Sequence, residues 1–302
     1  MTHDARHRKA DRAALLSGLA WTAPWWLGFL LLMAGPLVAT LYLSFCDYSL
    51  LEPPAFVGVE NYVTLVRDEN VHKVLWNTLI YAAISVPLMT ALAVGLAILV
   101  NQPIRGQAFF RAAIFVPTIV PLVAAGIVWM WLLNPESGLV NETLKAIGIS
   151  RPPLWLESPQ WAMTTLIGVS LWFVGTPMVI YLAGLQEIPE TLYEAARLDG
   201  ASAWGRFWHV TLPGLSPVIL FNVVVGLINA WQVFALPFVM WRTRPGPDRA
   251  AYFYTTYLFD NAFTYLKMGY ASALAWVQLL IILTLTGLVF WLSRRSVHYV
   301  GR

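Results

Sequence analysis

Between Ile188 and Pro213 the chain places the carboxylates Glu190 and Glu194, then Gly200, then a set of aromatics at helical spacing. Pro189 suits a first helical position. Glu190 and Glu194 favour the positive end of that helix, and Gly200 suits the residue just past its last turn. Ser202 can cap a second short helix, which would set Trp204, Phe207 and Trp208 on one face at i, i+3 and i+4. Pro213 is expected to end that helix. The expected product is a helix–glycine–helix elbow with an apolar face, whose chemistry is docking rather than bond-making. One role needs no partner: an amphipathic hairpin lying in a membrane interface.

A second group is Asn222, Gly226, Asn229 and Val233, again at helical spacing, with Gln232 one step aside. Amides in an apolar helix either face a cavity or hold helices together, and the spacing leaves both open. A neutral amide stripe suits an uncharged polyol or sugar better than an ion. Other chemistries lack their residues. The single cysteine, Cys46, excludes a disulfide scaffold, an iron–sulfur site and a structural zinc site. No G-x-x-x-x-G-K-[ST] loop is present to cradle phosphates, and the stretch around Gly246 lacks that spacing. No metal site and no cofactor are expected, and any ATPase is a separate polypeptide.

The elements that position these residues follow from composition. Of 302 residues, 58% are hydrophobic and only 12% charged, with a mean hydropathy of +0.63. Soluble domains carry about 25% charged residues, so half the usual charge is missing. An ordinary cytosolic enzyme and a disordered regulator are excluded. A net charge of +3 spread over this length is no phosphate-binding surface, so no nucleic-acid partner is expected.

Six charge-free apolar stretches read as membrane helices in a lipid bilayer: Leu15–Phe45, Val74–Val100, Ala112–Leu133, Gln160–Gln186, Gly214–Trp241 and Met268–Ser293. All 19 Lys/Arg, all 16 Asp/Glu and all five His lie outside them. A proton relay, haem ligation in the membrane and an intramembrane protease are thereby disfavoured. Pro24 and Pro36 are expected to break or kink the first span, and Gly175-Thr176-Pro177 to kink the fourth. The fold class expected is all-α integral membrane, with residues 1–14 and 294–302 as tails around a six-span domain, 15–293, that carries the elbow within 187–213.

Orientation follows from the Lys/Arg bias of short loops. With the N-terminus inside, the inner segments hold Arg6, Arg8, Lys9, Arg12, Arg105, Arg111, Arg197, Arg206, Arg294, Arg295 and Arg302. Both termini are therefore expected in the cytoplasm. The first stretch exceeds the roughly 7–15 apolar residues of a signal peptide. Bulky Phe45 before Cys46 argues against a lipoprotein cleavage site, so an uncleaved first helix is expected.

Glu194-Ala195-Ala196-x₃-Gly200-x₉-Val210-x-Leu212-Pro213 resembles the EAA motif of ABC importer permeases, E-A-A-x₃-G-x₉-I-x-L-P, departing only at Val210. The wider run Ala183–Ala201, including Leu198-Asp199-Gly200, resembles the carbohydrate-uptake branch, the maltose and sn-glycerol-phosphate type. So do the Gly246-Pro247-Asp248 turn and the Phe56-x-Gly58-x-x-Asn61-Tyr62 run. The resemblance runs through essentially the whole chain and implies a type I permease of a bacterial inner (cytoplasmic) membrane.

It also implies that the elbow docks in a groove on a cytoplasmic ATPase dimer, through Glu194, Ala195, Ala196, Asp199, Gly200, Trp204, Phe207, Leu212 and Pro213. A second homologous permease and an extracytoplasmic solute-binding protein are the further implied partners. By the same resemblance Asn222, Asn229 and Gln232, with the aromatics Tyr181 and Trp231, fall on the substrate path. The carbohydrate-type flanks of the elbow argue against an ABC permease for amino acids, peptides or an inorganic anion. An ATPase-independent channel or scaffold is the alternative from another class.

Overall fold

The structure, a computed structural model, describes residues 2–103, 105–241 and 246–294. Arg295 and Arg302 of the expected C-terminal tail, and Arg244-Pro245, lie outside the described residues. In chain order the helices are α1 (Thr2–Phe29), α2 (Gly35–Leu43), α3 (Glu60–Arg67), α4 (Glu69–Asn101), α5 (Gln107–Phe115), α6 (Leu122–Leu132), α7 (Leu139–Ala146) and α8 (Pro159–Leu171). They continue as α9 (Gly175–Glu187), α10 (Glu190–Leu198), α11 (Ala203–Arg206), α12 (Leu212–Trp231), α13 (Ala235–Trp241), α14 (Tyr254–Phe259) and α15 (Met268–Ser293). Among the described residues, four helical stretches are long and apolar enough to cross a membrane: Leu15–Leu43, Glu69–Asn101, Ala203–Trp241 and Met268–Ser293. Two bent pairs bring the number up to six when each pair is one span.

The bends have local causes. Span four is Pro159–Leu171 plus Gly175–Glu187, turned by 50° at the expected Gly175-Thr176-Pro177. Span three, expected as one helix over Ala112–Leu133, is instead Gln107–Ile119 plus Leu122–Leu132, turned by 99°. Pro117 is the second residue of a 3₁₀ turn over Val116–Ile119, and Pro121 caps α6. Two prolines four residues apart remove two ladder hydrogen bonds from one stretch.

The first span departs from expectation in the other direction. Pro24 lies inside α1, and Pro36 stands in the first turn of α2 after a π-helical turn, Leu30–Ala34. In that turn the Gly35 amide donates to the Leu30 carbonyl five residues back. The wider turn makes room for the proline ring, and the helix continues instead of breaking.

The described residues form two compact units, one drawn from 2–67 and 261–276, the other from 68–260 and 277–294. In the first, the Asn61 amide Nδ2 donates to the carbonyls of Ser44 and Cys46, both at 2.9 Å. Ser44 Oγ and Tyr62 Oη share a hydrogen bond of 2.8 Å, and a short antiparallel pairing sets Cys46 opposite Phe56. Gly269 comes so close to the Cys46 carbonyl that an added Cβ would lie 2.0 Å away.

In the second unit α4, α9 and α12 pack against one another. Ala93, Ala97, Met178, Tyr181 and Leu215 are fully buried at their contact. The segment before α14, and α14 itself, are fastened to the cap and first half of α4. Asn77 Nδ2 donates to the carbonyls of Arg249 and Tyr252, both at 2.9 Å, and the Tyr257 hydroxyl donates to Asp68. Burial pushes the Tyr254 phenol above its ordinary range, and neighbouring Tyr257 adds to the shift. Gly246 (φ 75°) and Asp248 (φ 49°) make the turn expected there.

Candidate functional site

The elbow forms where the residue types require it. Pro189 is the cap of α10 rather than its first residue, and Glu190 opens the helix. Asp199 ends it, and Gly200 follows at φ +77°. The Ala201 amide donates to the Ala196 carbonyl at 2.9 Å and the Gly200 amide to Arg197 at 3.1 Å. This paired closure satisfies two carbonyls that a helix end leaves bare. Ser202 caps α11 by accepting from the Gly205 amide at 3.1 Å. Arg206 Nη1 donates to the Ala201 carbonyl at 2.8 Å and braces the turn.

Glu194, Ala195 and Asp199 are exposed and Ala196 is half-buried. Leu198 is 90% and Trp204 69% exposed, so the elbow presents large apolar side chains outward. Trp204 stacks on Phe207 with ring centroids 5.4 Å apart, and Trp208 meets both edge-on. The aromatics thus form one cluster, as the i, i+3, i+4 spacing requires.

Pro213 does not end the second helix. A π-helical turn, Phe207–Thr211, leads into α12, where Leu212 and Pro213 form the first turn and are half-buried. The Leu212 amide donates to Phe207, five residues back. The residue before Pro36 makes the same bond, so both prolines are accommodated by one device. The elbow therefore continues into span five without a break.

Along α12 that span lines a cavity of about 750 Å³ in the second unit. Asn222, Gly226, Asn229, Gln232 and Val233 all face it, and Tyr181 contributes from α9. Asn229 and Gln232 are exposed, whereas Asn222 Nδ2 is bound to the Val218 carbonyl of its own helix at 3.0 Å. The buried Tyr181 hydroxyl lacks a well-aligned partner, with the Thr90 side chain beside it. Trp231 stands elsewhere. It is 3% exposed, packs in the core with Tyr81 and Phe253, and is not among the lining residues.

Sequence reasoning missed Tyr81, Ser85 and Thr90 of α4, Ser170, and Thr176 of α9, all of which line the cavity. A signal existed for two of them, since Tyr81 and Ser85 are polar at i, i+4 in an apolar span. The lining holds hydroxyls, amides and aromatic rings, and among the lining residues none is charged. Such a surface can hydrogen-bond and stack on a polyhydroxylated solute. Among the described residues no group of three His, Cys, Asp or Glu side chains is placed to hold a metal ion.

Residues 75–298 match the family described as binding-protein-dependent transport system inner membrane component. The chain belongs to that family. The probable ABC transporter permease protein YesP of Bacillus subtilis is 37% identical over 289 residues, covering 95% of this chain and 93% of that protein. The sulfoquinovosyl glycerol transport system permease protein SmoG of Agrobacterium fabrum is 34% identical, over 87% of this chain and 86% of its own length. In fold, the permease matches a chain of a bacterial ABC transporter involved in the import of the acidic polysaccharide alginate. The TM-score is 0.82 at 23% identity, over 96% of this chain and 99% of the other. The chain is a multi-pass ABC transporter permease subunit of a binding-protein-dependent system, and not an enzyme.

Proposed function

We propose that this permease forms half of the path by which a sugar or sugar-bearing polyol enters a bacterial cell. A second homologous permease completes the path, a cytoplasmic ATPase dimer drives it, and an extracytoplasmic binding protein delivers the solute. The single observation that carries this is the uncharged, aromatic and amide-lined cavity of about 750 Å³ on α12, the helix that continues from the elbow. SmoG, named for sulfoquinovosyl glycerol transport, is consistent with a sugar-bearing cargo.

Exposure on two surfaces supports the partners. Phe221, Val225 and Asn229 leave one side of the cavity open, where a second permease would close it. Leu198 and Trp204 leave the elbow's apolar face free for a groove on the ATPase. The chain acts as one permease domain, 15–293, with both tails in the cytoplasm. Glu194 meets a basic side chain of the ATPase, Gly200 supplies the turn, and the Trp204–Phe207 stack fills the groove. Tyr181, Asn222, Asn229 and Gln232 lie along the solute's path.

Co-purification of the tagged chain from its native membrane tests this. The expected result is an assembly with an ATPase and a second permease whose binding protein is stabilised by a sugar in a thermal-shift screen. A chain that purifies alone, or a binding protein stabilised only by amino acids or inorganic anions, would overturn it.

A further inference from the structure

The junction between elbow and span five is held by a hydrogen-bond chain that the docking face does not explain. Tyr193 of α10 is half-buried, and its hydroxyl stands 3.0 Å from Thr211 Oγ1. Thr211 is 8% exposed and is the last residue of the π turn. Its hydroxyl donates to the Arg206 carbonyl at 3.4 Å, which leaves its oxygen to accept from Tyr193. Arg206 in turn braces the Gly200 turn through Ala201. The chain thus runs from α10 across the π turn to the elbow's corner.

The surroundings are rigid on one side and soft on the other. Just past Thr211, a Cβ at Gly214 would lie 2.8 Å from Ile188 Cδ1, and one at Gly184 would lie 2.8 Å from Val218 Cγ2. The inner ends of α9 and α12 therefore interlock, as small residues permit between helices. The π turn is the weak point of the path. Its hydrogen bonds reach five residues instead of four, and such turns mark sites where a helix adjusts. A displacement of the elbow would be absorbed there unless the turn were tied.

We propose that the Tyr193–Thr211 hydrogen bond is a latch that holds the elbow at a fixed angle to span five, so that an ATPase-driven displacement reaches the cavity. Tyr193 and Thr211 are then positioning residues of the coupling step. The latch rests on the elbow's proposed docking to the ATPase.

The test uses the complete complex in lipid nanodiscs, with Thr176→Cys placed on the cavity lining. Cys46 is fully buried and stays silent. The labelling rate by N-ethylmaleimide is read with and without ATP and vanadate. ATP should change that rate in the otherwise unaltered complex. Tyr193→Phe and Thr211→Val should each shrink the change about two- to tenfold, the range one net hydrogen bond supports. The double variant should do no worse than the stronger single one, as for two ends of one contact, and Thr211→Ser should keep the full response.

Unchanged responses in Tyr193→Phe and Thr211→Val, additive losses, or a Thr211→Ser as poor as Thr211→Val would each overturn the latch. Glu194→Lys combined with Gly200→Val separates the two levels. If that pair leaves the ATP response intact, or if the unaltered complex shows none, docking falls and the latch with it. If the pair abolishes the response while the latch variants do not, the latch alone falls. Tyr193→Phe removes a single oxygen, so it carries the test should Thr211→Val assemble poorly.

Discussion

Gly175 lies against the backbone of Ile114: a Cβ at position 175 would sit 2.6 Å from the Ile114 carbonyl oxygen and 2.7 Å from Phe115 Cα. Neither atom can swing aside as a side-chain tip would. Gly175 opens the second half of bent span four, and Phe115 closes α5 just before the bend of span three. Gly175→Ala should destabilise the permease by about 1–3 kcal/mol through overpacking, seen as a lower Tm of the purified protein. Gly168 meets nothing within 4 Å, so Gly168→Ala should be neutral or up to about 1 kcal/mol stabilising by helix propensity. Equal Tm values for the two variants would contradict this account of the bends.

Asn61 gives the Phe56-x-Gly58-x-x-Asn61-Tyr62 run a physical meaning. One amide nitrogen serves two carbonyls, Ser44 and Cys46, and an aspartate of the same size would set a carboxylate against both. Asn61→Asp should cost about 1–3 kcal/mol locally. Hydrogen exchange of the Val57 amide, which donates to Phe45 at 2.9 Å, should accelerate by one to two orders of magnitude. Unchanged exchange would show that this amide does not hold the segment.

Much of this was legible in the sequence, and the exceptions share a cause. Missing charge marked the apolar spans, and Gly200 and Ser202 marked the elbow, because each depends on local backbone or solvation physics alone. Pro36 and Pro213 misled. A proline announces a lost amide but not whether the helix breaks or heals through a π turn. The cavity was half visible: Asn229 follows from one helix's period, whereas Ser170 and Thr90 face it only because α4, α9 and α12 meet. Trp231 was one aromatic among 15 tryptophans, and only packing shows that its ring is buried.

Orientation is checked with single cysteines at exposed positions. Leu139 is 63% exposed and Arg105 is exposed as well. In intact cells an impermeant maleimide should label Leu139→Cys at once and Arg105→Cys, on the same expected side as the elbow, only after the membrane is opened. The reversed pattern would put the elbow outside, away from ATP, and rule out the coupling role proposed for it.

Asn222 and Asn229 share the cavity face but not the same freedom. The Asn222 amide is already engaged by the Val218 carbonyl, while Asn229 is exposed to the cavity. Asn229→Leu should therefore weaken uptake of the radiolabelled solute by an amount equivalent to about 1–3 kcal/mol, expressed at low solute concentration, with assembly intact. Asn222→Leu should have a smaller effect. Equal uptake by both variants and the unaltered complex would make the stripe a packing feature.

Gly200 separates backbone geometry from contact. Its φ of +77° is left-handed, and an added Cβ would meet nothing within 4 Å, so any penalty at this position is conformational. Gly200→Val should cost about 1–2 kcal/mol and distort the turn that Ala201 and Arg206 close. Gly200→Asn, which accepts the left-handed region more readily, should largely preserve it. Glu194→Lys leaves the turn alone and reverses the charge offered to the proposed ATPase partner. Both Gly200→Val and Glu194→Lys should lower solute-stimulated ATP hydrolysis and uptake together, while the binding protein keeps its affinity for the solute. Gly200→Asn should retain most of both activities. If Gly200→Asn were as damaging as Gly200→Val, backbone strain would not be the cause. If Glu194→Lys and Gly200→Val together left hydrolysis and uptake unchanged, the elbow would be an interfacial hairpin and the energy would enter elsewhere.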